Sequence, residues 1–532
     1  MYRLIIVSIF FVMLSFQTFG QGKSANVSVK WGPEIEVSKK AWFKRIVGFD
    51  GTGVYATQGE KKGLTIFNQG VNLERYSNRL ILSKSVELDL KSEKKKRQLE
   101  FIIQLDGRMY VFSSYMDQKI KRNFLFVQPV NKRTLVLEGE LKKIAEIDYE
   151  GNTKYNAGYF NYKLGRDSTK LLIYYDLPYD KGESEKFGFH VFDEKFDQIW
   201  EKKVVLPYKE EFFSIEDYEV DGNGNVHVLG LIWPEKREKE TDVSLRNSLD
   251  RRHQILSYSN MGNELIEYPI DLDGKFLTEM QIAINDEQDV ICGGLYSTEG
   301  TRNIEGSYFV KIDGKTKEIE SREFKAFGID FITQDLSDRK VSKAKRKSSK
   351  GKSVDLLEYV LDDLVLRKDG GAVLIGEQYS LDKISSSDAR GFSSTINRYE
   401  FNDIIVVSMS PNGEIEWMEK VAKRQVTRHS SKSSSYALSI VNDKLHFFFN
   451  ENPKNLAAKK EGKFYFFRPE SSVLVLVTLD KEGKQTKEAL FAAEDVGVVI
   501  LPSSCRQIAE NKMLLVGFKE QNIRLAKITF NK

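Results

Sequence analysis

The chain has 532 residues, and its 81 basic and 77 acidic side chains nearly cancel to a net charge of +4, which excludes nucleic acid binding through global charge. Two cysteines, Cys292 and Cys505, are too few for a disulfide framework. A chain of this length implies three or four domains, unless a repeat spreads one fold along it.

The first predicted element is a secretory signal over Met1 to Gly20. Arg3 stands near the amino terminus, an apolar run follows from Leu4 to Phe16, and Thr18-Phe19-Gly20 supplies a small-x-small cleavage site. The apolar run has 13 residues, where a spanning helix needs about 20, so no transmembrane anchor is expected. Gln21 and Gly22 follow the cleavage site, where a lipoprotein would carry cysteine. The expectation is an exported protein of the periplasm or the outer cell surface, with residues 21–532 forming one domain.

Beyond the signal, short runs rich in Val, Ile, Phe and Tyr alternate with Gly, Asn and Asp turns, the signature of strands. They recur in fours. Weaker copies span Trp42 to Leu82, Leu99 to Ala145 and Tyr159 to Leu206; clearer ones begin at Phe213, Thr278, Asp363 and Ser435. An eighth copy is split: Cys505 to Phe530 holds three strands, and Trp31 to Lys39 matches the missing fourth, with Ile35 and Val37 on one face and Glu34 and Glu36 on the other.

This predicts an all-β protein, a β-propeller of four-stranded blades, eight in number with seven as the alternative count. The N-terminal strand completes the last blade and leaves no open edge in the ring. Pro33 is compatible with an outermost strand, which tolerates a missing donor. Third strands such as Ile404 to Val407 and Val473 to Val477 are apolar on both faces, as a strand between two blades requires. Paired β-sandwiches and a β-solenoid are the competing architectures, and the unit length suits neither as well.

The stretches DLVLRKDGGAVLIGEQYS, YEFNDIIVVSMSPNGEIEWMEKVAKRQV and SSYALSIVNDKLHFFFNENPKN, within about residues 355–455, resemble a group of exported propeller-like proteins of Bacteroidota-type bacteria. That group has no assigned chemistry, so the resemblance implies compartment and fold alone. A weaker likeness to eight-bladed quinoprotein-type and outer-membrane-assembly propellers rests on DQIWEKKVVLP around Trp200 and GEIEWMEKV around Trp417. Packing between blades explains these two Trp residues better.

No catalytic residue, cofactor or metal is predicted. Asp221-Gly-Asn223-Gly-Asn225 starts like a calcium loop, but Val226 and Ile232 occupy the positions that need Gly and Glu. Gly351-Lys352-Ser353 lacks the upstream Gly of a phosphate-binding loop. His190, His227, His253, His429 and His446 occur singly. The adjacent acids Glu216-Asp217 and Asp362-Asp363 are read as chance neighbours in an acid-rich chain.

Strand parity puts the turns between strands one and two and between three and four on one face, where they are tight. The long connections, Trp233 to Arg252, Gly328 to Leu356, Leu381 to Tyr399 and Glu451 to Arg468, share the other. Loops on a rigid scaffold favour binding. The candidate binding face comprises Trp233, Arg251, Arg252, Arg398, Tyr399, Phe464, Tyr465 and Arg468. The run Arg339 to Lys352 within the insertion at about 328–356 is expected to be a mobile loop. Its Arg339, Lys340, Lys343, Lys345, Arg346, Lys347, Lys350 and Lys352 are candidate contacts to a polyanion. The leading functional expectation is a non-catalytic binding or scaffolding protein for an envelope protein or glycan. The alternatives are a hydrolase or lyase acting on a glycan or peptide and an envelope assembly factor. Three or more convergent carboxylates, histidines or a metal at the channel mouth would favour the enzyme.

Overall fold

Eight antiparallel sheets follow one another along the chain in the computed structural model, each pairing its strands in sequence order apart from the last. The structure describes residues 26–38, 41–61, 69–92, 95–149, 158–179, 181–233, 252–270, 274–298, 303–334, 336, 338–350, 356–357, 359–387, 393–428, 430–457 and 465–531. The signal read over Met1 to Gly20 lies outside them. The first strands of the first seven sheets are Ala41–Asp50, Gln98–Leu105, Asn161–Leu164, Phe213–Val220, Phe276–Ile284, Tyr359–Leu366 and Ala437–Val441. The eighth sheet combines Arg506–Ala509, Lys512–Lys519 and Asn522–Phe530 with the N-terminal strand Val27–Glu36.

First strands approach one another directly at six of the eight junctions, including the last sheet against the first, and the Phe101–Tyr162 ring contact and the Tyr436–Asp362 hydrogen bond span the other two. Each sheet is therefore a blade, with its first strand innermost around a central channel. The eight blades form a β-propeller. Core clusters lie between blades: one joins Leu229 and Ile255 of the fourth blade to Met280 and Cys292 of the fifth. Another closes the ring, joining Leu514 and Val516 of the eighth blade to Ile46 and Val54 of the first. Tight hairpins set the strand spacing. Asp106-Gly107 and Asn442-Asp443 hold both central residues at positive φ, the geometry that matches strand twist.

The closing strand differs in extent from the Trp31 to Lys39 read in the sequence. It runs from Val27 to Glu36, pairing from Val27 opposite Phe530 to Glu36 opposite Asn522. The register slips between Trp31 and Glu34, where Gly32 and Pro33 form a bulge. One inserted residue exchanges the faces of a strand. Val27, Val29 and Trp31 accordingly pack toward the seventh blade, and Ile35 and Val37 toward the first. Arg524 locks the bulge, donating to the Gly32 carbonyl at 3.0 Å and lying over the Trp31 ring at 4.9 Å.

Contact between blades also explains the two Trp residues. Trp200, on the fourth strand of blade three, donates its indole N–H to the Gly224 carbonyl of blade four at 2.8 Å. Trp417 does the same to Lys481 of the seventh blade at 2.7 Å. Each ring lies on a turn glycine of the next blade, Gly262 or Gly483. Cys292 and Cys505 are free thiols in blades five and eight.

Two outcomes test this account. Removing residues through Glu36 strips the outer strand from blade eight and should give aggregation or a large fall in Tm, read by calorimetry; an unchanged Tm would refute closure. Gly483 has φ +81, and a Cβ there would stand 2.8 Å from the Trp417 ring. Gly483→Ala should therefore lose about 1–3 kcal/mol in urea unfolding, more than Gly107→Ala, whose added methyl meets nothing within 4 Å.

Candidate functional site

The long connections share one face, but their contents differ from the sequence reading. In blade six the second and third strands, Ala372–Ser387 and Ser393–Met409, continue beyond the blade as one hairpin paired out to Ser387 opposite Ser393. From Ser380 outward the hairpin rises roughly 25 Å at the usual strand spacing. The register slips between Glu377 and Tyr379, where the hairpin leaves the blade, and a short strand, Gln425–Arg428, joins its outer edge opposite Arg398 to Phe401.

A buried polar network clamps the hairpin root. Lys423 is fully buried and pairs with Glu377 at 2.5 Å, both side chains being almost without solvent. The Lys423 ammonium also donates to the Phe401 carbonyl at 2.9 Å, and Ser435 donates to Glu377 at 2.8 Å. Gln425 donates to the Asn450 carbonyl at 2.7 Å, tying the network to blade seven. Burial pushes the Asp403 carboxyl pKa up beside this network. A charge pair desolvated this far is stable only when its remaining valences are filled, as here.

The sequence-predicted binding residues fall on blades four, six and seven. Trp233 and Arg252 flank the root of the blade-four connection, with the Trp233 backbone N–H donating to the Phe212 carbonyl at 2.8 Å and Arg252 opposite Ile232. Arg398 stands on the hairpin, held by Asp382 at 3.7 Å and Glu400 at 2.5 Å, with Tyr399 next to it. Tyr465 lies in the blade-seven connection, where its N–H meets Asn455 at 2.7 Å, and Arg468 is exposed nearby. In the aromatic run, Phe467 is buried and Phe466 exposed. Arg251 and Phe464 lie outside the described residues.

The basic run is not the loop that its composition implied. Asp338–Ser348 is a helix with Arg339, Lys340, Lys343, Lys345, Arg346 and Lys347 exposed and Ala344 buried; Lys350 follows in a turn, and Lys352 is outside the described residues. Self-repulsion argued for disorder. It is outweighed by the helix preference of Lys, Arg and Ala, with Asp338 in the first turn and three cations in the last.

The channel holds what the sequence reading passed over. First strands of six blades carry bulges opposite their second strands. In blades four and six the slip falls at Ile215/Asp217 and Leu361/Asp363, so Glu216-Asp217 and Asp362-Asp363 are bulge pairs. Adjacent acids that interrupt strand alternation were the signal available in the sequence. Lys163 of blade three pairs with Asp217 and Glu219 of blade four, each at 2.9 Å. Burial, reinforced by Asp217 and by Asp363 from blade six, raises the Glu219 carboxyl to about 6. Burial likewise lifts Asp363, with Lys163 opposing. Asp362 accepts from the Tyr436 hydroxyl at 2.7 Å, and burial raises it to about 6.

Among the innermost strands of blades eight, one, two and three, Ile46, Ile102, Tyr162, Leu164, Arg506 and Ile508 help wall a cavity of 360 Å³. At the tight-turn mouth, ion pairs connect non-adjacent blades: Arg166 with Asp286 at 3.0 Å, and Lys368 with Glu510 at 4.0 Å. Asp221 in the calcium-like loop accepts from the backbone of Asn223 and Asn225 and from the Asn225 side chain, as a tight turn does. Among the described residues no group of three or more His, Cys, Asp or Glu is arranged to hold a metal ion.

No protein-family model and no curated protein matches the sequence. Solved structures that align over most of the chain include the WD40 domain of SCAP from fission yeast, at 7% identity over 95% of this chain and 94% of that one, with a TM-score of 0.40. The polysaccharide lyase Uly1 aligns at 10% identity over 94% of this chain and 100% of its own, with a TM-score of 0.34. A Synechocystis apocarotenoid oxygenase aligns at 8% identity over 95% of this chain and 94% of its own, with a TM-score of 0.32. At these scores the likenesses carry no functional argument, and the propeller assignment stands on strand pairing. The resemblance read over residues 355–455 has no sequence family behind it and reaches no further than the propeller architecture.

The Glu219 assignment is testable through pH. An acid whose folded pKa exceeds its unfolded value of 4.5 stabilises the fold at low pH, and that contribution disappears as pH rises through the folded value of about 6. The difference amounts to about 2 kcal/mol. Glu219→Gln should therefore gain stability relative to the native chain between pH 4 and pH 7, measured by urea unfolding. A constant gap across that range would contradict the assignment.

Proposed function

We propose that this protein is an exported binding protein without catalytic activity, which holds a protein partner of the cell envelope against its long-loop face. The observation that carries this reading is the blade-six hairpin. A two-stranded ribbon standing alone is marginal in water, yet this one is clamped by a fully buried ion pair and a third strand. It presents Leu381 opposite Tyr399 on one face and Ile384 opposite Ile396, next to Arg398, on the other, with Leu381 and Ile384 each more than 40% exposed. Apolar side chains on a rigid support, rimmed by charge, are the composition of a protein-binding patch, with an ordering cost already met on folding.

The test shortens the hairpin by joining Ser380 to Glu400, which face each other in the ladder, through a two-residue turn. The shortened protein should keep most of its Tm, because the buried ion pair lies below the cut and the third strand retains Glu400 and Phe401 as partners. A photo-crosslinker at Ile384 of the intact protein should capture one envelope protein, and the shortened protein should lose at least roughly tenfold in affinity for it, as expected when a central anchor is removed. Equal affinity would remove the hairpin from the interface.

One observation favours a second reading, a hydrolase or lyase acting on a glycan or peptide. Asp217 and Glu219 pair with Lys163 in the channel within electrostatic reach of Asp363, and an acid with a pKa of about 6 is suited to proton transfer near neutral pH. Turnover of a glycan or peptide that is abolished by Glu219→Gln would select this reading over the first.

A further inference from the structure

The connection between blades five and six is built, not slack. Asn303–Ile304 pairs with Leu356–Leu357 across its base. Buried Lys420 donates to the Ile332 carbonyl at 3.1 Å from the outer strand of blade six. The helix Asp338–Ser348 sits on this base with Ala344 buried and Val341 half-buried, which fixes its rotation. At 3.6 residues per turn, Arg339, Lys343 and Arg346 then fall on the opposite face with Lys350 continuing the line, and Lys340 and Lys347 stand on the flank. All six are exposed, and among the described residues none of them enters an ion pair. Lys345 lies on the flank, tied to Asp330 at 3.1 Å.

We propose that this stripe is a docking site for a linear acidic polysaccharide, a chain of uronate or sulfated sugars, separate from the hairpin and independent of its role. Helix neighbours three and four apart stand about 5–6 Å from each other. The stripe from Arg339 to Lys350 therefore offers cations in a line about 16 Å long, matching a chain that carries its charge sugar by sugar. A bilayer fits less well. The apolar Val341 and Ala344 face the protein, so no outward side chain can enter a membrane as interfacial helices require. Because the helix is already folded and anchored, the cations need no ordering on binding, and the attraction is governed by ionic strength.

The mature chain is titrated with polygalacturonate and with neutral dextran at low and high salt. Polygalacturonate should bind, dextran should not, and salt should weaken binding steeply. Combining Arg339→Gln, Lys343→Gln, Arg346→Gln and Lys350→Gln should weaken binding at least roughly tenfold with Tm unchanged, since each lost cation removes a released counterion. Lys345→Gln should change it less than roughly twofold, its charge being already paired. Arg346→Lys should retain binding, which separates charge from damage to the fold. Equal binding by the fourfold variant, or no binding of the native chain to polygalacturonate or dextran sulfate, would overturn the proposal. Stronger binding to phosphatidylglycerol vesicles than to polygalacturonate, lost in the same variant, would also overturn it and assign the stripe to a membrane.

Discussion

A sheet edge exposes backbone donors and acceptors that must be paired or defended, and this molecule depends on how that requirement is met. Eight blades can share cores all the way round only if the last meets the first. Asn522–Phe530 would be a bare edge if Val27–Glu36 did not lie along it. The bulge at Gly32 and Pro33 then lets one strand serve two interfaces, with Trp31 toward blade seven and Val37 toward blade one. Closure and the packing of neighbouring blades are thus one event. The turn glycines follow the same logic: Gly262 and Gly483 leave room for the indole of the preceding blade to reach a backbone carbonyl.

Closure also creates the channel and decides what lines it. Innermost strands are short of space, and bulges relieve the crowding by bending the strand and re-aiming its side chains. In blades four and six the register shifts fall at the adjacent acids Glu216-Asp217 and Asp362-Asp363 and break the alternation that a regular strand would impose. Asp217 and Glu219 are then offset by Lys163 from the neighbouring blade. Removal from water, more than mutual repulsion, holds Glu219 near neutrality. At the tight-turn mouth, Arg166 and Lys368 reach past a neighbouring blade to their partners, leaving the long-loop face as the more open approach.

That face is rigid for a reason that hydrophobic burial does not supply. Lys423 and Glu377 are among the most deeply buried charges in the molecule, and burying such a pair contributes little net stability. Its value is positional. The bond to Phe401 holds Lys423 on the hairpin itself, and those of Ser435 to Glu377 and of Gln425 to Asn450 fix the hairpin against blade seven. Sliding the hairpin by one residue would strand a buried charge.

Much of the fold was legible in the sequence because its cause is local. Alternation of apolar residues, the Asp-Gly and Asn-Asp turns, and the three-strand remainder at Cys505 to Phe530 are properties of neighbouring residues, and from them follow four-stranded units, their number and the split blade. The same holds for Trp200 and Trp417, whose setting in charged outer strands pointed to packing between blades. What the sequence could not determine depends on residues far apart. Glu216-Asp217 and Asp362-Asp363 read as chance pairs until the ring set Asp217 against Lys163 of blade three and Asp362 against Tyr436. Lys423 and Glu377 carry no motif, and they meet only because the chain after the outer strand of blade six folds back along the hairpin edge. The run Arg339 to Lys350 reads as self-repelling charge; its helix preference is local, but only the tertiary structure, by giving Ala344 and Val341 a surface to pack on, fixed the rotation that turns Arg339, Lys343 and Arg346 outward.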